Sequence, residues 1–144
     1  MLQRILALDV GDKRIGVAVS DPLGITAQGL ETFVRTGDID KDVAHILALL
    51  KKYEPVKLLF GLPRNMDGSY GFQSEKVRAF ADAVLAKWQG EHDFYDERLT
   101  TVSAERVLMQ AELNWRERRK VVDKVAAVVI LQGYLENQSR KREQ

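Results

Sequence analysis

The order of apolar segments along the chain predicts an α/β fold, in which a five-stranded mixed sheet is flanked by helices. Three short strand-like segments come first, and helices alternate with strands after them. Turn residues separate the first three segments, so we expect these strands to pair in an antiparallel manner. Each of the last two strands follows a predicted helix, which allows it to run parallel to the first strand.

The first half of the chain supplies the three turn-connected strands and one helix. The strands are predicted where short apolar segments are bounded by turn residues, over 4–10, 15–19 and 26–34. Asp38 is a predicted N-cap for a helix over 39–53, because apolar residues recur there at helical spacing. Pro55 is expected to end this helix.

The second half supplies two strands and three helices. The strands are predicted over 56–62 and 92–96. The helices are predicted from an apolar stripe over 77–88 that Gly90 ends, from Thr101 to Leu113, and from Val121 to Gln138. We expect one domain over 1–138, followed by a disordered tail over 139–144.

Composition limits the classes of function that the chain can have. Its 144 residues are 45% hydrophobic and 30% charged, which is typical of one soluble domain. Neither a membrane span nor a signal peptide is visible, so we expect no membrane partner. The absence of cysteine excludes disulfides and thiolate zinc sites and favours a cytoplasmic location. Net charge is +1, so any contact with nucleic acid must depend on a local basic patch.

Three carboxylates lie at the ends of different predicted elements. Asp9 ends the first strand, Glu97 follows the last strand, and Asp123 opens an almost wholly apolar helix. Charge near a core is costly unless it is paired or binds a metal, so the three acids together suggest one metal site. Each also has a simpler explanation: a turn for the first, a solvated pair for Glu97 and its neighbour, and a helix start for the third.

Basic residues accompany these acids. Five of them lie just before and after Asp123, and three more each follow a turn near a predicted strand end. They are Arg116, Arg118, Arg119, Lys120 and Lys124, then Arg14, Arg64 and Arg98. Phosphate neutralisation near the acids requires such residues, although a charged loop is more often simply solvated. The two histidines, His45 and His92, are expected to have surface or packing roles.

Four motifs, in this order along the chain, resemble those of the YqgF (RuvX) family. They lie in Leu8–Asp21, Gly61–Ser69, Asp96–Thr101 and Val122–Glu136. The family has an RNase H-like fold and is related to the RuvC Holliday-junction resolvases. Its members are described as junction resolvases or as nucleases that mature the 5′ end of pre-16S ribosomal RNA. The resemblance implies a metal-dependent phosphodiesterase that uses Asp9, Glu97 and Asp123.

The chemistry of the three acids agrees with that implication. Carboxylates about 4 Å apart cannot all stay ionised without a cation between them. Oxygen ligands favour Mg²⁺ or Mn²⁺, and we expect two ions. One ion would activate water and the other would stabilise the leaving 3′ oxygen.

We therefore predict a divalent-metal-dependent nuclease that processes the 5′ end of pre-16S rRNA in ribosome biogenesis. Its expected partners are structured RNA and the ribosome or a pre-ribosomal particle. A Holliday junction resolvase acting on branched DNA is the first alternative and would require a homodimer, whereas rRNA trimming could use a monomer. A non-catalytic nucleic-acid-binding module is the second, although such modules tend to lose the acids. An actin-like ATPase would need two domains of this kind, and this chain has one.

Overall fold

The computed structural model describes residues 3–63, 67–97 and 125–138. The helix predicted from Thr101 to Leu113, the basic loop after it and the tail over 139–144 lie outside these residues. So does the start of the helix predicted from Val121. Within the described ranges, no helix is long and apolar enough to cross a membrane.

The described residues form one five-stranded sheet in the order β3-β2-β1-β4-β5. The strands are β1 Ile5–Val10, β2 Arg14–Ser20, β3 Ala27–Val34, β4 Lys57–Leu62 and β5 Glu91–Asp96. β2 pairs antiparallel with β1 and with β3, whereas β4 pairs parallel with β1 and with β5. The predicted mixed sheet is confirmed, and every predicted strand boundary lies within one residue of the observed one.

The first helix, α1, covers Ile39–Tyr53 and begins and ends as its sequence predicts. The Asp38 side chain accepts a hydrogen bond of 2.9 Å from the Asp40 backbone N–H, which satisfies a donor in the first turn. Glu54 then adopts a left-handed conformation with φ 46°, and its N–H donates to the Leu50 carbonyl. Pro55 follows directly and prevents continuation of the helix.

The second helix, α2, covers Phe72–Leu85 and ends earlier than its apolar stripe predicts. The N–H groups of Lys87 and Trp88 share the Val84 carbonyl at 3.0 Å, as an i→i−3 and an i→i−4 bond, so the helix tightens into a terminal turn there. Trp88 still packs against the core, but from this turn. A Cβ atom at Gly90 would collide with the Trp88 ring, so this glycine makes room for the ring and does not end the helix.

A third helix, α3, is described over 125–138 and lies on the opposite side of the sheet from α1 and α2. The sheet therefore has a core on each face. One core joins the α1 and α2 side chains to alternate residues of the strands, such as Leu8 and Phe60. The other joins α3 to the residues between them, such as Ala7 and Leu59. This alternation determines which face each strand-end side chain meets.

Candidate active site

The carboxyl ends of β1, β4 and β5 lie side by side at one edge of the sheet, because these three strands are parallel neighbours. Asp9 is the next-to-last residue of β1, where it lies opposite Gly16 of β2. Glu97 comes directly after Asp96, the last residue of β5, which pairs with Leu62 of β4. Residues that are 88 positions apart in sequence are thus brought to one edge.

Strand alternation places both acids on the face that α3 covers. Ala7 and Tyr95 belong to the α3 core, and Asp9 and Glu97 each follow one of them by two residues. Phe94 packs in the core of the other face, so Asp96 is directed there by the same alternation. Both Asp9 and Glu97 are half-buried.

The Asp9 and Glu97 carboxyl groups are hydrogen-bonded to each other. Burial raises the pKa of Glu97 from its ordinary 4.5 to about 7, and the negative charge of Asp9 adds to this effect. The hydrogen bond to Asp9 and the charge of Asp96 act in the same direction. The pair therefore resists a second ionisation.

Gly61 on β4 provides the space that this pair needs. A Cβ atom there would lie 2.9 Å from Glu97 Oε1 and would also collide with the Ile130 side chain of α3. A glycine in a buried strand marks a close approach of other groups to the backbone. Sequence reasoning missed this role, although a glycine within the apolar run of β4 was a visible signal.

The donor set of the pair suits a hard divalent cation. Asp9 and Glu97 offer carboxylate oxygens, and a cation between them would remove the repulsion that raises the pKa of Glu97. The described residues contain no group of three or more histidine, cysteine, aspartate or glutamate side chains suited to a metal. Asp123, the third predicted ligand, lies outside the described residues, since α3 is described from residue 125 onwards.

Of the eight predicted basic contacts, the structure describes Arg14. It is exposed and opens β2 at the same edge of the sheet, where the Gly11 N–H donates to its carbonyl at 2.8 Å. The others lie outside the described residues: Arg64, Arg98, Arg116, Arg118, Arg119, Lys120 and Lys124. Their contact with nucleic acid stays a prediction.

The contacts described for the two histidines are with residues other than Asp9 and Glu97. His45 on α1 forms a 2.6 Å hydrogen bond with Glu31 and stacks on Phe33 with ring centroids 3.9 Å apart. His92 meets the edge of Phe94. These contacts agree with the packing roles predicted for both residues.

A buried ion pair that sequence reasoning missed supports the turn after Asp9. Arg35 donates to Asp42 Oδ2 and to the Gly11 carbonyl, each at 3.0 Å. Asp42 is 1% exposed. Burial works to raise its pKa, but hydrogen bonds from Thr36 and Arg35 outweigh burial and hold the pKa below its ordinary value. Both residues resemble ordinary surface charges in the sequence, so no signal pointed to the pair.

Comparison with known proteins agrees with this architecture. The RuvX family, described as "Holliday junction resolvase", matches residues 3–137. A protein of Moorella thermoacetica is 55% identical over 133 residues, which cover 92% of this chain and 94% of the relative's chain. One of Desulforamulus reducens is 51% identical over 134 residues, 93% of this chain and 97% of its own. Both bear the name "Putative pre-16S rRNA nuclease".

Two solved structures share the fold. Thermus thermophilus RuvC in complex with a Holliday junction substrate superposes with a TM-score of 0.69, at 12% identity over 96% of each chain. The yeast mitochondrial Holliday junction resolvase Ydc2 gives 0.63 at 14% identity, over 99% of this chain and 81% of its own. At this identity the similarity establishes the fold alone, which is RNase H-like. On the match over residues 3–137 and the identity to its relatives, this chain belongs to the RuvX family.

Proposed function

We propose that this protein is a divalent-metal-dependent nuclease that hydrolyses phosphodiester bonds during 5′-end processing of pre-16S rRNA. The observation that carries the proposal is the contact between the Asp9 and Glu97 carboxyl groups at the ends of parallel strands. Two acids forced together at a half-buried site raise the pKa of one of them, and a structural role does not require that cost.

In this proposal Asp9 and Glu97 hold the cation, and Asp123 completes the set of ligands. Mg²⁺ or Mn²⁺, as two ions, would supply the activation of water and the neutralisation of charge on the leaving oxygen. Asp9 is fixed by its position within β1, and Glu97 by the strand end and by the space above Gly61. Both carboxylates must be deprotonated to bind the cation, so activity should rise with pH towards and through neutrality.

In this proposal the phosphate backbone is bound by the predicted basic residues around the end of the sheet where the acids lie. Arg14 supports it, because this exposed residue opens the strand that pairs with β1 beside Asp9. Arg64 and Arg98 each follow a strand that ends at the same edge. The five basic residues around Asp123 extend the same surface in the proposal. Contacts of this kind position the backbone without reading its sequence.

The rRNA assignment is supported by the names of relatives that share about half of their residues with this chain. It includes a cytoplasmic location and a pre-ribosomal particle as partner. Resolution of DNA junctions is the second candidate, because RuvC was solved with a Holliday junction and the RuvX description carries that activity. Paired nicks across a junction require a homodimer, whereas single-site trimming can be performed by a monomer.

A cleavage assay with two substrates separates these candidates. A labelled RNA that spans the 5′ boundary of 16S rRNA and a labelled four-way DNA junction are incubated with Mn²⁺ or with a chelator. We expect wild-type protein to cut the RNA in Mn²⁺ and not in the chelator. Faster cutting of the junction would overturn the RNA assignment, and no cutting of either substrate would overturn the nuclease proposal.

A further inference from the structure

Two exposed aromatic side chains lie at the start of α2: Tyr70 precedes the helix, and Phe72 is its first residue. Tyr70 is 53% exposed and Phe72 is 79% exposed. The other large hydrophobic side chains exposed among the described residues are all aliphatic and belong to other segments: Leu23, Ile25, Val34, Ile39 and Val56. A single exposed apolar residue needs no explanation. Two exposed aromatic rings within three positions, at the end of the sheet where the acid pair lies, do need one.

A cation accompanies each ring. Lys76 Nζ lies 5.7 Å from the centroid of the Phe72 ring, and the Arg78 guanidinium carbon lies 5.1 Å from that of Tyr70. Both cations come from the first two turns of α2: Lys76 lies one helical turn beyond Phe72, and Arg78 lies eight residues beyond Tyr70, which precedes the helix. The segment therefore presents flat apolar surface and positive charge together.

The same two cations connect this segment to the β1–β2 turn and to β5. Lys76 Nζ forms a 3.1 Å ion pair with Asp12, three residues after Asp9. Arg78 also lies 5.3 Å from the Phe94 ring, three residues before Glu97. Three residues of extended chain span only about 10 Å. The aromatic segment therefore reaches the end of the sheet at which the acids lie, from the α2 face, whereas the acids lie on the α3 face.

The segment is also held in place from within. Asp67 Oδ1 accepts hydrogen bonds from the backbone N–H and the hydroxyl of Ser69, at 2.9 and 2.6 Å. The hydroxyl of Ser74, which is 1% exposed, donates to the Pro63 carbonyl at the end of β4. A preorganised surface loses less entropy when it binds a ligand.

We infer that Tyr70 and Phe72 form a stacking platform for unpaired bases of an RNA substrate next to the cleaved phosphate. Aromatic rings bind bases by stacking, and this requires bases that are unstacked from a duplex. Positive charge beside the rings attracts the backbone that connects those bases. The inference rests on the proposed nuclease function and adds to it a substrate class, RNA with a single-stranded segment at the cleavage site.

The inference is tested by comparing how tightly the protein binds a single-stranded RNA and a fully paired RNA of equal length. A chelator is present to prevent cleavage. Fluorescence anisotropy would compare wild-type protein with Phe72→Ala. We expect Phe72→Ala to weaken binding of single-stranded RNA by roughly tenfold, within the range of stacking losses. Binding of the duplex should change less than twofold. Tyr70→Ala should act in the same direction.

Two further variants provide the controls. Leu23→Ala removes an equally exposed apolar side chain from the β2–β3 turn, at the opposite end of the sheet, and should leave both affinities unchanged. Phe72→Trp should retain binding, and its added fluorescence should be quenched by single-stranded RNA and not by the duplex. Equal weakening for both RNAs in Phe72→Ala, no weakening for either, or an unquenched signal in Phe72→Trp would each overturn the inference.

Cleavage measurements distinguish failure of this inference from failure of the proposed function. If wild-type protein cuts RNA and Phe72→Ala does so with unchanged KM, the platform is wrong and the nuclease assignment stands. If the binding results are as expected and no Mn²⁺-dependent cleavage occurs, the platform stands and the nuclease assignment is wrong.

Discussion

The two faces of the sheet are filled by different kinds of side chain. Towards α1 and α2 the strands direct large residues such as Leu6, Leu8 and Phe60, all fully buried. Towards α3 they direct the small Ala7 and Ala18 together with the larger Leu59 and Tyr95. The first face supplies most of the large apolar surface that burial removes from water. The second lets a helix approach the strands closely and leaves space beside the acids.

Polar contacts accompany the apolar residues of the α3 face. On the α3 side, Lys57 Nζ donates to the Tyr134 hydroxyl at 2.7 Å, and that hydroxyl donates to Asp93 at 3.3 Å. The hydrogen bond with Tyr134 holds the pKa of Lys57 above its ordinary value, although burial opposes this. Asn137 donates to the Tyr95 hydroxyl at 2.7 Å. The acids proposed for cleavage thus lie on the α3 face, while the larger apolar core lies on the other face together with the buried Arg35–Asp42 pair.

Loss of an acid should have the largest effect of any change on the α3 face. We expect Asp9→Asn to reduce cleavage on the order of 10³-fold or more, because the cation loses a charged ligand. Single-turnover cleavage of the RNA measures this. Asp96→Asn is the matched control, since this carboxylate belongs to the other face by strand alternation, and it should retain most of the rate. Comparable losses in the two variants would contradict the separation of faces.

Removal of a large side chain from the opposite face should act on stability instead. Phe60 is fully buried and stacks with Phe94 at 5.4 Å between centroids. Phe60→Ala should lower the free energy of unfolding by about 3–5 kcal/mol, measured by denaturant titration. Phe72→Ala, which alters an exposed residue of the same type, should leave it nearly unchanged. A similar loss in both would show that the aromatic segment belongs to the core.

Gly61→Ala tests the contact between the acid pair and α3. The added methyl group should lower the free energy of unfolding by about 1–3 kcal/mol, because it collides with Ile130. In an Ile130→Val background the stability cost should fall, since the colliding Cδ1 atom is absent. Cleavage should be reduced in Gly61→Ala and should stay reduced in the double variant, because in both the added Cβ atom would lie 2.9 Å from Glu97 Oε1. Full recovery of cleavage in the double variant would show that Gly61 does not serve the acids.

The smallest expected effect concerns pH. Without metal, folded Glu97 keeps a proton that unfolded Glu97 has released between pH 4.5 and about 7. Stability should therefore fall as pH rises through this interval. Glu97→Gln should raise the free energy of unfolding by roughly 1–2 kcal/mol at pH 8 and by less at pH 5. Denaturant titrations at both pH values, with the exposed Glu75→Gln as control, measure the difference. An equal effect at both would contradict the raised pKa.

The sequence was sufficient to predict the sheet because its signals are local. Turn residues bound each early strand, and the helical crossovers allow the last two strands to run parallel to the first, as they do. The end of α2 was predicted too late, since Trp88 continues the helical spacing of apolar residues while the chain itself has turned. A continued pattern of burial does not require continued helix.

The site was only partly predictable, for a related reason. Asp9 and Glu97 meet because parallel strands end at one edge, which the element order already implies. The role of Gly61 depends on Ile130, which is distant in sequence and close only after α3 packs. Arg35 and Asp42 are close in sequence, but the contact of Arg35 with the Gly11 carbonyl becomes visible only in the folded structure. Contacts of this kind leave no local pattern in a sequence.

The proposed function depends above all on a cation site formed by the Asp9 and Glu97 carboxylates. Calorimetric titration of Mn²⁺ at pH 7.5 into wild-type protein, Asp9→Asn and Glu97→Gln tests it most directly, because it needs no substrate. We expect measurable binding to wild-type protein and at least about tenfold weaker binding to each variant. Equal affinity in all three proteins, or no binding to the wild type, would contradict it.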